Sequence, residues 1–180
     1  MEIVWFVITG ILLWWIVIYN LLVRDRNRVL AAWSDIDVQL KRRHDLIPKL
    51  VDAVMQYTAY EQATLAAITT LRSKSEQAQD VEEIGPLEAA LGEKIHTLLM
   101  LAEDYPELKA SQSFLDLQRN LTEVENNIQF ARRFYNGAVR NLNTRIDTFP
   151  DTLVARWFRY QYAPYFELKD KSQRKPPELN

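Results

Sequence analysis

Residues 114–142, FLDLQRNLTEVENNIQFARRFYNGAVRNL, place apolar or small side chains at Phe114, Leu117, Leu121, Val124, Ile128, Ala131, Tyr135, Ala138 and Leu142. The steps alternate between three and four without a miss, which keeps one face of an α-helix apolar over successive heptads. A seam of that length buries itself against another long helix, so the fold class is all-α and the architecture a helical bundle. Arg119, Glu123, Glu125, Arg132, Arg133 and Arg140 crowd its flanks. They read as a solvated edge, with ion pairs worth about 0.3–0.5 kcal/mol each.

A second stripe supplies the partner. It runs Val29, Trp33, Ile36, Leu40, Arg43, Ile47, Leu50, Val54, Tyr57, Glu61, Leu65, Ile68, Leu71. The phase does not change at Pro48, which predicts one helix to about residue 75, kinked near His44 to Ile47 where proline removes a backbone hydrogen bond. A hairpin at Asp45 to Pro48 would instead give a compact four-helix arrangement. Ser73 to Ile84 loses the stripe, and Gly85-Pro86 marks a reversal. A helix is then expected from an N1-like Pro86 to Asp104, with a kink or break at Tyr105-Pro106. Phe149-Pro150-Asp151 stops the long seam helix, a short amphipathic segment Leu153 to Phe158 follows, and 168–180 is a polar tail expected to be disordered.

Working outward to the N-terminus, residues 1–23, MEIVWFVITGILLWWIVIYNLLV, contain no Lys or Arg and end abruptly at Arg24, Asp25, Arg26 and Arg28. From Ile3 to Val23 a helix runs roughly 32 Å, about the thickness of a hydrocarbon core. The stretch is expected to be an uncleaved single-pass transmembrane anchor. It has no basic leading region and no small-x-small cleavage site, so a signal peptide fits poorly. Trp14 and Trp15 lie about 13 Å short of Arg24, well inside the bilayer, so something should pack on them. A second copy of the chain, a foreign transmembrane partner and lipid are the alternatives. The three arginines favour a cytoplasmic domain by the positive-inside rule, with an extracytoplasmic one as the alternative.

Composition narrows the chemistry. The formal net charge of -2 offers no basic footprint for nucleic acid. Without cysteine there are no disulfides, thiolate nucleophiles or thiolate metal sites. Glu93-x-x-His96 has the spacing of a di-iron ligand pair, yet the other histidine, His44, has Lys41 where its glutamate would stand. No metal or other cofactor is expected. A Gly-x-Ser-x-Gly elbow and a phosphate-binding glycine loop are both missing, so the chain does not read as an enzyme.

The anomalies are polar residues on an apolar seam. Arg43 and Glu61 fall on the first stripe, and Asp37 and Lys41 make an acid-first i,i+4 pair beside it. If the chain folds back near residue 83, antiparallel register brings Arg43 to Glu123 and Glu125, and Trp33 to Arg132 and Arg133. A register-setting ion pair and a cation–π contact are then expected, unless Arg43 snorkels out along its stem.

Two blocks of sequence also carry a family resemblance. Tyr19-Asn20-x-Leu22-Val23 followed by Ala32-Trp33-Ser34-x-Ile36-Asp37-Val38-Gln39-Leu40-Lys41-Arg42-Arg43-x-Asp45-Leu46-Ile47-Pro48-x-Leu50-Val51 resembles the signature of LemA proteins. Tyr105-Pro106-x-Leu108-Lys109-Ala110, Phe114-x-x-Leu117-Gln118 and Glu125-Asn126-x-Ile128-x-x-Ala131-Arg132-Arg133-x-Tyr135-Asn136 resemble the family's later half. Local departures are Tyr60-Glu61 for the usual His-Glu, Lys49 for Asn, and Leu142-Asn143 for Tyr-Asn. The resemblance implies a bundle of long antiparallel helices over 24–167, anchored in a membrane and without enzymatic activity. It also implies an association with membrane metallopeptidases and TPM-domain proteins, hence a helper in membrane quality control, and kinship with magnetosome membrane domains. The expectation is a non-catalytic scaffold presenting its bundle to a protein partner, with homo-oligomers possible through the anchor. The alternative is a regulatory subunit that docks onto a peptidase or transporter through its transmembrane helix.

Overall fold

The computed structural model describes residues 1–56 and 62–166. Among these every regular element is a helix: α1 Glu2–Met55, α2 Gln62–Gln77, α3 Val81–Leu101, a 3-10 turn Ala102–Asp104, α4 Pro106–Lys109, α5 Gln112–Asp147 and α6 Asp151–Trp157. Glu61 and the tail 168–180 lie outside the described residues. Residues 1–39 with 127–165 form one compact unit, and 40–126 with Phe166 belong to another.

In the first unit, α1 begins with an unburied apolar stretch. Up to Val17 every side chain is exposed except the half-buried Trp15. This is the one helix among the described residues long and apolar enough to cross a membrane, with a mean hydropathy of 2.3 over its most apolar window. Thr9 donates its hydroxyl to the Trp5 carbonyl at 2.8 Å, the way a polar side chain satisfies itself on its own helix. Burial starts at Ile18 and recurs at Leu22, Asp25, Val29, Ala32 and Ile36. The buried spacing of three and four faces the C-terminal part of α5, which runs antiparallel: Asp25 meets Arg145 and Trp33 meets Tyr135. On this part of α5 the buried positions are Ile128, Tyr135, Val139, Leu142 and Ile146. Val139 therefore takes the place expected for Ala138, because a step of four follows Tyr135 and the larger side chain fills the seam.

Beyond the cis Phe149-Pro150 bond, α6 buries Val154 and Ala155. Arg159, at φ 54°, takes the left-handed turn that ends α6, and the Tyr160 N–H closes on the Ala155 carbonyl at 2.9 Å. The returning strand of chain is held by α5. Asn143 bonds both the carbonyl and the N–H of Ala163 at 3.0 and 2.9 Å, and the Tyr135 hydroxyl donates to the Pro164 carbonyl at 2.9 Å.

The second unit packs one core from α1 (Ile47, Leu50, Val54), α2 (Leu65, Ile68), α3 (Leu91, Ile95, Leu98) and the start of α5 (Phe114, Leu117, Leu121). Helix α1 passes through Pro48 unbroken, with the proline on its exposed face, so there is no hairpin at Asp45 to Pro48. It does not continue to residue 75. His44 Nδ1 lies 3.8 Å from Glu76, whereas one continuous helix would separate them by about 48 Å. Helix α2 therefore returns along α1. An apolar stripe records which face is buried and not where the chain turns, so its phase ran on through the reversal. The next reversal also sits earlier than Gly85-Pro86. Asp80, at extended φ and ψ, caps α3, and Pro86 lies inside that helix. Pro106 does open its helix, at N1 after an extended Tyr105.

Candidate functional site

The second unit holds a buried polar cluster centred on Glu88. The α3 stripe Ile84, Glu88, Leu91, Ile95, Leu98 puts this carboxylate on the core face, where it is 4% exposed. Three neighbours converge on it. His44 Nε2 donates to Oε1 at 2.7 Å, Ser75 Oγ to the same oxygen at 2.5 Å, and Arg43 Nη1 to Oε2 at 3.2 Å. Burial pushes the Glu88 pKa up, but the hydrogen bonds from His44 and Ser75 and the charges of His44 and Arg43 outweigh it. Its carboxyl is held below the ordinary value of 4.5. Arg43 continues to Glu125 through Nη2 at 3.0 Å, and Arg72 braces Glu76 at 3.0 Å. One cluster thus joins α1, α2, α3 and α5.

Gly92 makes room for it. A Cβ at that position would lie 2.7 Å from Arg43 Nη2. Arg43, Gly92, Ile95, His96, Leu121, Glu125 and Asn126 help line a groove of about 340 Å³. The chemistry open to the cluster is limited by its order. Ser75 and His44 share one carboxylate oxygen, so Glu88 stands between them, and the imidazole is not placed on the hydroxyl as it is in a Ser-His-acid triad. Among the described residues no three His, Asp or Glu side chains gather to hold a metal.

A second polar site lies in the first unit. Asp25 is 3% exposed and accepts from Arg145 Nε at 2.6 Å, while Arg145 Nη1 donates to Asp151 at 2.8 Å. Burial alone would lower the Arg145 pKa, but the two carboxylates raise it, and the guanidinium stays charged. Toward the N-terminus of α1 the contacts become aromatic. Trp157 meets Trp15 edge-on with centroids 6.2 Å apart, and Phe158 tilts onto Tyr19 at 4.6 Å.

The residues singled out from sequence fall out as follows. Arg43 is buried and bonded to Glu125, while Glu123 is taken by Arg42 at 3.3 Å. Trp33 packs on Tyr135 at 5.7 Å. Arg132 is half-buried, and Arg133 lies over Phe130 of its own helix at 4.7 Å. Asp37 is exposed and joins no ion pair among the described residues. Trp14 stands edge-on to Trp15 at 6.4 Å, and Trp15 finds its cover in Trp157 of the same chain. Sequence reasoning missed Glu88, His44 as its partner, Ser75 and Asp25. A signal existed for two of them: the α1 stripe extended backward from Val29 lands on Asp25, and the α3 stripe lands on Glu88.

The LemA family model matches residues 32–180. This chain belongs to the LemA family. Protein LemA of Metamycoplasma hominis is 33% identical over 76% of this LemA-family chain and 63% of its own length. Magnetosome protein MamQ 2 of Paramagnetospirillum magneticum is 23% identical, and magnetosome protein MamQ of Magnetospirillum gryphiswaldense 21%, each over 84% of this chain and 65% of the relative. The LemA-family chain thus spans a little under two thirds of the length of the curated relatives it matches.

Proposed function

We propose that this protein is a membrane-anchored, non-catalytic helical scaffold that presents its bundle to a protein partner, with the bundle on the cytoplasmic face. The observation that carries this is the N-terminal part of α1, apolar and exposed to Val17, continuing without a break into a helix whose next positions are buried at heptad spacing. Arg24, Arg26 and Arg28 stand exposed directly after it, which favours the cytoplasmic side. The polar groups of the core support a structural role: the buried Glu88, Arg43 and Asp25 and the half-buried Arg145 are each tied to opposite charge, and the Ser75–Glu88–His44 order is not that of a Ser-His-acid triad. The LemA family and relatives named as magnetosome proteins are in keeping with membrane association.

Deletion of residues 1–17 should move the protein from carbonate-washed membranes to the supernatant. Partners cross-linked to the full chain in native membranes should be retained when the anchor is exchanged for an unrelated single-pass helix. Loss of every partner on that exchange would instead favour a subunit that docks through its transmembrane helix. Steady turnover of a substrate by the purified protein, abolished by one polar substitution, would overturn the non-catalytic assignment.

A further inference from the structure

The aromatic end of α6 is seated on the anchor and yet left uncovered. Trp157 touches Trp15 and Phe158 touches Tyr19, but Trp157 remains 75% exposed, and Phe149, Leu153, Phe158 and Tyr162 are exposed around it. Water is a poor solvent for so many large apolar rings in 14 consecutive positions, 149–162. Their level along α1 says what covers them. Trp15 lies about 13 Å short of Arg24, the first cation after the apolar run. An anchor whose charged end stays at the membrane surface therefore holds Trp15 below it, and Trp157, in ring contact with it, goes in alongside.

Resting on the anchor proposed above, we propose that residues 149–162 form a second membrane element, a wedge inserted beside the anchor whose occupant is a single leaflet, with Trp157 in its acyl region at the level of Trp15 and the rest of the segment reaching up to the headgroup boundary. Tryptophan and tyrosine suit that layer because each has an apolar body and a polar edge. Arg156 and Arg159 are exposed within the same stretch, and Arg24, Arg26 and Arg28 are exposed on α1. These cations face a leaflet that carries anionic headgroups. The apolar patch is continuous with the anchor, and the charges beside it match the headgroups above it. The wedge also answers what packs on Trp15: a ring from the chain's own C-terminal part.

Because the chain contains no cysteine, single nitroxide labels report position without background. The full chain carrying Leu153→Cys or Trp157→Cys, both at exposed positions, is labelled in vesicles of phosphatidylcholine with phosphatidylglycerol, with Leu12→Cys and Val38→Cys as references. Spin relaxation is measured against oxygen, which concentrates in lipid, and against a water-soluble nickel chelate. The 153 and 157 labels should show an oxygen-to-nickel ratio several-fold above that at 38 and approaching that at 12. A ratio equal to that at 38, with 12 still in lipid, overturns the wedge and leaves the anchor standing. Shielding of both labels from oxygen and nickel alike overturns it in favour of a second copy of the chain or another protein on the patch. A water-like ratio at 12 overturns anchor and wedge together. The two labels are independent, so a folding failure at one leaves the other to decide, with native helical content required of each.

Discussion

Glu88→Ala tests whether the buried cluster is what fastens α3 to α1 and α2. The substitution removes the acceptor of three hydrogen bonds, from His44, Ser75 and Arg43, at a side chain that is 4% exposed. Breaking a buried pair by deleting one partner costs about 3–5 kcal/mol, since the other charge is stranded. Here the lower end applies, because Arg43 keeps Glu125 at 3.0 Å and His44 keeps Glu76 at 3.8 Å. About 3 kcal/mol is expected, a drop in Tm of roughly 6–12 °C for a chain of this size. Far-UV circular dichroism of the full protein in mild detergent measures it. Glu88→Gln should cost less, since the amide oxygen still accepts from Ser75. A Glu88→Ala loss below about 1 kcal/mol, the range of an exposed pair, would refute the reasoning. So would a Glu88→Gln loss equal to that of the alanine variant, which would mean that charge alone mattered.

Acid should expose the same residue. With its folded pKa below 4.5, Glu88 binds fewer protons than in the unfolded chain, so its contribution is complete above the unfolded value and lost as pH falls through the folded one. Urea melts from about pH 6 to pH 3 should show a steeper loss in the wild type than in Glu88→Gln. Gly92→Ala should cost about 1–3 kcal/mol, since the new methyl would overlap Arg43 Nη2 and force it off Glu125. Pairing it with Glu125→Gln in a double-mutant cycle should show coupling, and strict additivity would count against the displacement. Arg145→Ala leaves Asp25 buried with the longer contacts to Arg28 at 3.5 Å and Arg24 at 3.9 Å, so it should destabilise by about 3 kcal/mol. Asp25→Asn in the Arg145→Ala background should recover part of that loss by the same melt.

The heptad face of α5 was legible because each step of three or four buries the next side chain. The pairing of Arg43 with Glu125 was expected from a single fold-back near residue 83, and the contact is there although the chain also turns before α2. Two further features hid in plain periodicity. Asp25 and Glu88 occupy seam positions, but an acid on an apolar stripe declares itself only when the stripe is carried through it. The partners of Glu88 lie 44 and 45 residues earlier, on His44 and Arg43. No local spacing rule reaches that far. The return of α2 was invisible for another reason. Neither glycine nor proline occurs between Pro48 and Gly85, and the stripe positions of α1 and α2 stay in phase by sequence number although they belong to two helices. The docking of Trp157 on Trp15 joins distant segments, a contact that only the folded chain assembles.

The hydroxyl of Thr9, turned onto the carbonyl of Trp5, has a consequence for traffic within a bilayer. It is the one hydroxyl between Ile3 and Ile18, a stretch that also lacks carboxylates, amides and charged groups. With it satisfied by its own helix, that stretch has little directional chemistry with which to choose a neighbour, apart from the indole N–H groups of its tryptophans. Lateral selection then falls to geometry, to how well an apolar length matches the hydrocarbon thickness around it, where each ångström of mismatch costs only a fraction of a kcal/mol. If the stretch spans as proposed, the expectation is sorting by membrane thickness, with redistribution among membranes when their lipids change.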